Sequence, residues 1–251
     1  MIPEQANVGP SNGSAAPLFP DAQITGTDLS PCQPNEVPEN VHFIVDDITE
    51  DEWLFNHNSL DYIHSAHLSG SLSSYKPVLQ KMQKYLKPGG WAEIHEFDTM
   101  VRCDDSTMPK LRDDGQYCSY PLLDWCDLQM ISGDRSIPER KFRVAQRLEQ
   151  GMKENGFVDV KQHIFKAPVN TWSSDRHLKE IGRWMERNIL EGLSGWSYKP
   201  FHVLSMSKPE TEVFLAGVRR SVQDRNVHAY FNFHVITGRK PYSWERGDES
   251  R

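Results

Sequence analysis

The sequence predicts an α/β fold: a mostly parallel, doubly wound sheet with flanking helices and one antiparallel strand at the C-terminal end. Three observations lead there. Residues 60–97 read as strand, helix, breaker and strand, which is a βαβ unit with parallel strands. Helical and strand-like apolar periods then alternate to about Arg225. The chain closes on its most regular alternation, Val227, Ala229, Phe231, Phe233 and Val235 against His228, Tyr230, Asn232, His234 and Ile236.

Residues 1–18 are rich in Pro, Gly, Ser, Asn and Ala without apolar periodicity, so they are expected to be a disordered lead-in or the remnant of a motif. Gln23–Thr27 reads as a short strand ending at Asp28, and Val41–Val45 as a second strand ending at Asp46 and Asp47. A third, Leu60–Ala66, follows an acidic loop that contains Trp53. Tyr75, Val78, Leu79, Met82, Tyr85 and Leu86 recur at three- and four-residue spacing, which places them on one helical face. Ser74 is the expected N-cap, with Pro77 in the first turn, where its missing N–H costs little. Lys87-Pro-Gly-Gly90 is expected to break the chain before the strand Trp91–Phe97.

Farther on, helices are expected over 121–131 and 138–154, the second with Phe142, Ala145, Leu148 and Met152 inward. Asn155-Gly156 stops it, and Val158, Val160, Gln162 and Ile164 alternate as a strand. A helix over 175–191 turns Leu178, Ile181, Met185 and Ile189 inward. Ser207-Lys-Pro-Glu210 has the form of a capping box that opens a helix to about Arg225. The final pair of long strands suits a sheet edge that carries the antiparallel strand.

Composition narrows the class. With 251 residues, 25% charged and 37% hydrophobic, the chain can bury one sizeable core. A net charge of -7 with scattered Lys and Arg argues against a nucleic-acid surface. No basic-then-apolar leader and no apolar run near the roughly 20 residues that span a bilayer is present, so a soluble cytoplasmic or nuclear protein is expected, with no membrane partner. Cys32, Cys103, Cys118 and Cys126 form no C-x-x-C pair and lack histidines at zinc spacing; they are expected to be free thiols, and no metal centre is predicted.

Three segments together resemble the fungal LaeA-like class I methyltransferases, which use S-adenosyl-L-methionine. They are Phe19-Pro-Asp-Ala-Gln-Ile-Thr-Gly-Thr-Asp-Leu-Ser-Pro-Cys-Gln-Pro34, then Val41-His-Phe-Ile-Val-Asp-Asp47 with Glu52-Trp53, and Leu86-Lys-Pro-Gly-Gly-Trp-Ala-Glu-Ile-His-Glu-Phe-Asp98. Leu60–Gly70 fits between them and Gly238-Arg-Lys-Pro241 closes the match, which runs from about 19 to 241. The resemblance implies a Rossmann-like sheet whose cofactor is S-adenosyl-L-methionine. It places Asp28 on the ribose hydroxyls, Asp46 or Asp47 on the adenine amino group, Trp53 over the adenine face and His64 beside the methionine moiety. Each has a plainer alternative: strand-end Asp residues serve as turn formers, and Trp as a core anchor. His67 and His95 sit at expected carboxyl ends of strands, where a base for methyl transfer would stand. Residues 19–241 would form the domain, with helical substrate-cap inserts near 100–135 and 170–208 and a tail over 242–251. Tyr117, Tyr120, Trp125, Trp172, Trp184 and Trp196 fall in those inserts; they would sandwich a flat small-molecule substrate or simply pack the lid.

The departure from the family lies at the start. The family's first strand ends in D-x-G-x-G-x-G, whose glycines admit the cofactor to the backbone. Here the counterpart is Asn7-Val-Gly-Pro-Ser-Asn-Gly13. Gly9 stands 19 residues before Asp28, close to the usual spacing of about 20. Yet Ser11 replaces a glycine, Pro10 removes a donor and no apolar run precedes the loop, so that strand is expected to be absent or degenerate. Ala66 also stands where the family usually carries Arg. Three readings follow. One is a methyltransferase of fungal secondary metabolism acting on a small, flat molecule. Another is a non-catalytic accessory or regulator with a protein partner. The third is a truncated product that lacks the upstream strand.

Overall fold

The computed structural model describes residues 16, 18–31, 36–109 and 120–245. The Asn7–Gly13 stretch, Cys32, Cys118 and Tyr117 therefore lie outside the described residues. The chain divides into two compact units, Met1–Leu54 and Phe55–Arg251.

The first unit contains β1 (Ile24–Asp28) and β2 (Val41–Val45), paired in parallel from Ile24↔Val41 to Asp28↔Val45. Asn40 holds the entrance, its amide donating to the carbonyls of Phe19 and Ala22 at 3.1 and 2.9 Å. Among the described residues, β1 and β2 form a sheet of their own.

The second unit carries β3 (Leu60–Ala66), α1 (Lys76–Tyr85), β4 (Leu86–Phe97), α2 (Pro121–Arg135), α3 (Ala145–Glu154), β5 (Val158–Pro168), α4 (Arg176–Val203), α5 (Lys208–Gln223) and β6 (Tyr230–Arg239). Its sheet runs β3-β4-β6-β5. β3 and β4 are parallel, and β6 is antiparallel to both β4 and β5. The single antiparallel strand thus lies inside the sheet, not at its edge. Phe233 to Thr237 pair with β4 on one side and β5 on the other, which suits a strand whose two faces are largely buried.

Other boundaries moved for identifiable reasons. Tyr75 rather than Ser74 is the N-cap of α1; Ser74 Oγ accepts from the Lys76 N–H at 3.2 Å. Lys87–Gly90 does not end the chain's regularity but forms a bulge within β4, because pairing jumps from Leu60↔Leu86 to Tyr62↔Trp91. Gly89 adopts φ +85, and a Cβ there would lie 2.4 Å from the Tyr242 ring. Phe142 lies outside α3; it fills the space over Gly70 and Gly133, where an added Cβ would sit 2.5 and 2.6 Å from its ring.

Helix α4 continues 12 residues past the expected Leu190–Glu191 end, through Pro200, to Val203. A proline there leaves the Trp196 carbonyl without its i+4 donor. Gln129 of α2 supplies the missing bond, its side-chain nitrogen donating to Trp196 O at 3.0 Å. Tertiary packing of Leu193 and Phe201, both fully buried, does the rest. The Ser207–Glu210 capping box at the start of α5 forms in full.

Two apolar layers flank the sheet region. One joins α1 and α3 to β4 and β6 through Leu79, Met82, Leu148, Met152, Ile94 and Ile236. The other is a helical core of α2, α4 and α5 around Leu122, Trp125, Leu193, Phe201, Leu215 and Val218.

Candidate functional site

Parallel strands gather ligands at their carboxyl ends, where the chain leaves the ladder and backbone and side-chain groups are free to point outward. In the first unit, Asp28 is the last residue of β1, and Asp46 follows β2 directly, its N–H donating to the Asp28 carbonyl at 3.0 Å. The two acids therefore share one end of the pair. Asp28 Oδ1 accepts from the Ser30 N–H at 2.8 Å, and Asp47 Oδ1 accepts from Thr49 N and Thr49 Oγ1 at 2.8 and 2.7 Å. Both thus also act as turn formers. Asp46 makes no side-chain hydrogen bond among the described residues and keeps its carboxylate available. Trp53 is half-buried, with its indole N–H donating to Ile48 O at 3.2 Å.

In the second unit, the carboxyl ends of β3 and β4 bring together all three histidines singled out in the sequence. The rings of His64 and His95 lie 4.6 Å apart, edge to face. His95 packs against Phe233 of β6 at 5.5 Å, Phe233 against Phe97 at 4.8 Å, and Phe97 stacks on His67 at 5.7 Å. Period-2 geometry explains the grouping. Glu93, His95 and Phe97 share one face of β4, His64 is in register with Glu93, and Val235 and Phe233 of β6 face His95 and Phe97.

Electrostatics sharpen the cluster. The His95 Nε2 and Glu93 Oε1 atoms are 2.7 Å apart, on side chains that are mostly buried. Burial alone would raise the Glu93 carboxyl, but its hydrogen bonds to His95 and Tyr62 and the charges of His95 and His64 hold it below the usual carboxylate value. Crowding by neighbours desolvates the His64 ring, and the adjacent His95 reinforces this against Glu93, so its pKa falls to about 4 although the residue as a whole is exposed. His67 is lowered for the same first reason, against the pull of Glu96. Tyr62, desolvated and beside Glu93, is raised.

His67 adopts φ 58, and its N–H donates to His95 O at 3.0 Å. The turn behind it is held by Glu96, fully buried, whose carboxylate accepts from Leu68 N at 2.6 Å, Ser69 N at 3.2 Å and the Tyr75 hydroxyl. Sequence reading passed over Glu93, Glu96 and Tyr62. The alternation of Trp91-Ala-Glu-Ile-His-Glu-Phe97 carries the signal for Glu93, since an acid two residues from a histidine on a strand shares its face.

The aromatic residues divide. Tyr120 and Trp125 belong to the helical core, Tyr120 donating to Ser221 O at 3.1 Å and Trp125 to Ser197 Oγ at 2.8 Å. Tyr120 also lines a shallow cavity of about 290 Å³ with Pro121, Arg220 and Val227. Trp172 stacks on His228 at 4.8 Å and donates to Ala229 O at 2.7 Å. Trp184 and Trp196 are exposed on α4. Cys103 and Cys126 are free thiols; burial pushes the Cys126 thiol up to about 12. No described helix is long and apolar enough to cross a membrane.

Residues 7–162 match the profile of a family described as a methyltransferase domain. The secondary metabolism regulator LAE1 of Cochliobolus heterostrophus is 33% identical over 229 residues, covering 90% of this chain and 71% of that protein. Methyltransferase pytC of Aspergillus terreus is 34% identical over 223 residues, covering 87% and 64%. The protein-methionine methyltransferase laeA of Emericella nidulans is 28% identical over 225 residues, covering 89% and 57%. The chain thus spans between 57% and 71% of the length of these three relatives. Among solved structures, Haemonchus contortus phosphoethanolamine N-methyltransferase 2, in complex with S-adenosyl-L-methionine, superposes with a TM-score of 0.50 at 17% identity, over 90% of this chain and 45% of that one. A likeness at that identity establishes the fold alone.

Proposed function

Since the chain belongs to the methyltransferase-domain family, in its LaeA-like fungal branch, we propose that it binds S-adenosyl-L-methionine and transfers its methyl group to a small molecule of fungal secondary metabolism. What supports this reading lies within each unit taken by itself: in the first, Asp28 and Asp46 stand together at the carboxyl end of the β1–β2 pair, and in the second, His64, His67 and His95 gather toward the carboxyl ends of β3 and β4. In this reading Asp28 grips the ribose, and Asp46, with its unused carboxylate, takes the adenine amino group in preference to the turn-bound Asp47. Trp53 covers the adenine ring, and His64 lies by the methionine moiety. His67 or His95 accepts a proton from the acceptor. Methyl transfer asks little else of the protein than an in-line acceptor and a nearby base. Helices α2, α4 and α5 form the substrate cap. Within it Trp172, half-buried, and Tyr120, which lines the shallow cavity beside Pro121, are better placed to meet a ligand than Trp125, which is buried in the helical core. Tyr117 completes the proposed set outside the described residues.

The second reading, a non-catalytic partner of a biosynthetic or regulatory complex, is favoured by the eroded Asn7–Gly13 loop and by relatives described as secondary metabolism regulators. Titration calorimetry with S-adenosyl-L-methionine and S-adenosylhomocysteine separates the two. Micromolar binding that Asp46→Ala weakens by about 10-fold or more, the worth of a hydrogen bond to a charged group, supports the first. No binding by a chain that unfolds cooperatively overturns it in favour of the second.

A further inference from the structure

His64, Glu93 and His95 each offer one ligand atom, and these atoms all lie within 4.8 Å of one another. We propose that they form a site for one divalent transition cation of borderline softness, Zn²⁺ foremost, bound by two imidazoles and one carboxylate on the open face of the β3–β4 ladder.

Three features argue for it beyond proximity. First, the donors sit on paired strands in fixed register, His64 opposite Glu93 and His95 two residues on, so the backbone holds all three on one face. Closing them on a cation with bonds of about 2.0–2.2 Å needs side-chain rotation only. Second, packing limits how far the His95 ligand can turn: its side chain is mostly buried, and Phe233 lies edge to face with its ring at 5.5 Å. Third, the protein's own contacts leave one ligand over. Glu93 and His95 satisfy each other at 2.7 Å, whereas the His64 ring makes no hydrogen bond among the described residues and still points into the pair. An ion in place of the shared proton would use all three.

The donor set selects the ion. Two imidazoles with one carboxylate suit zinc and its neighbours in the first transition row, while magnesium and calcium require mostly oxygen ligands. Three protein ligands leave a position open to water or to a heteroatom of a bound molecule. With the ion in place His95 is a ligand, and His67, packed on Phe97 beyond it, is the imidazole left free to act as a base. The site does not depend on S-adenosyl-L-methionine binding; either can fail without the other.

The test uses the tag-free full chain after dialysis against a chelator. Titration with ZnCl₂ should give one ion per chain by calorimetry and elemental analysis, and CoCl₂ should develop the visible ligand-field bands of a low-coordinate site. His64→Ala, at a partly exposed position and so compatible with an intact fold, should weaken zinc by at least about 10-fold, as should Glu93→Gln. Cys103→Ser, at a thiol outside the cluster, should leave binding unchanged. Circular dichroism confirms that each variant is folded. Absence of saturable binding at equimolar zinc, affinity unchanged in folded His64→Ala, or displacement of zinc by an equal concentration of MgCl₂ overturns the proposal.

Discussion

Glu96 offers the sharpest test of how the strand-end histidines are held in place. Its carboxylate is fully buried and is the acceptor for three donors, the Leu68 and Ser69 amides and the Tyr75 hydroxyl. It thereby fixes the turn that follows His67 to the end of β4. Each buried donor left without an acceptor costs roughly 1–3 kcal/mol. Because residues 67–70 are only half-buried or exposed, part of that cost is recovered by water, so Glu96→Ala should lose on the order of 3–5 kcal/mol. In a chain of this size that corresponds to a Tm lower by roughly 10 °C. Glu96→Gln keeps one acceptor oxygen but turns an NH₂ group toward a donor, and it should lose about 1–3 kcal/mol. Urea unfolding of the wild type, Glu96→Gln, Tyr75→Phe and the double variant gives the coupling directly. If the turn is held as described, the two changes are non-additive by more than about 0.5 kcal/mol, and the His67 ring resonances shift in Glu96→Gln. Strict additivity, or a Glu96→Ala chain that melts within about 2 °C of wild type, refutes the reasoning.

Two further outcomes follow from buried polar pairs. Gln129→Met should destabilise the chain by about 1 kcal/mol by orphaning the Trp196 carbonyl, less the relief of the unpartnered Gln129 Oε1. In a Pro200→Ala background, where the residue 200 N–H can reach that carbonyl, the loss should shrink; equal losses in both backgrounds contradict the proposed substitution of one donor for the other. Asp98 is fully buried, and although burial raises its carboxyl, hydrogen bonds from Arg102 and Gln146 and the charge of Arg143 bring it below its ordinary 3.8. A folded-state pKa below the unfolded value means that the stabilisation is complete above about pH 4 and fades as pH falls through the lower folded value. Denaturation scans should show this acid limb flattened in Asp98→Asn, and an unchanged limb assigns it to other carboxylates.

Much of the site was legible because strands carry their function in a period of two. His64, His67 and His95 could be assigned to carboxyl ends of strands from apolar alternation and the breaker after Leu86, and the structure groups them there. What alternation cannot supply is which strand lies beside which. Glu93 becomes a partner of His64 only when β3 and β4 pair in this register, and Phe233, some 140 residues on, underlies His95 only because β6 inserts between β4 and β5. The aromatic residues show the opposite limit. Composition alone cannot tell a stacking platform from a core anchor, and it takes the packing of α2 against α4 and α5 to place Trp125 in the helical core, bonded to Ser197.

The linear chain determined the α/β class, the βαβ unit, the capping box at Ser207, the alternating last strand and the family to which the fold belongs, since each depends on interactions within a few residues or on a local pattern of burial. Only the tertiary structure decided the interior place of β6, the bulge at Lys87–Gly90, the reach of α4 through Pro200 and the convergence of His64, Glu93 and His95. Those features arise where a distant group replaces a missing hydrogen bond or offers a surface to bury against, and such long-range compensation leaves no mark in local periodicity.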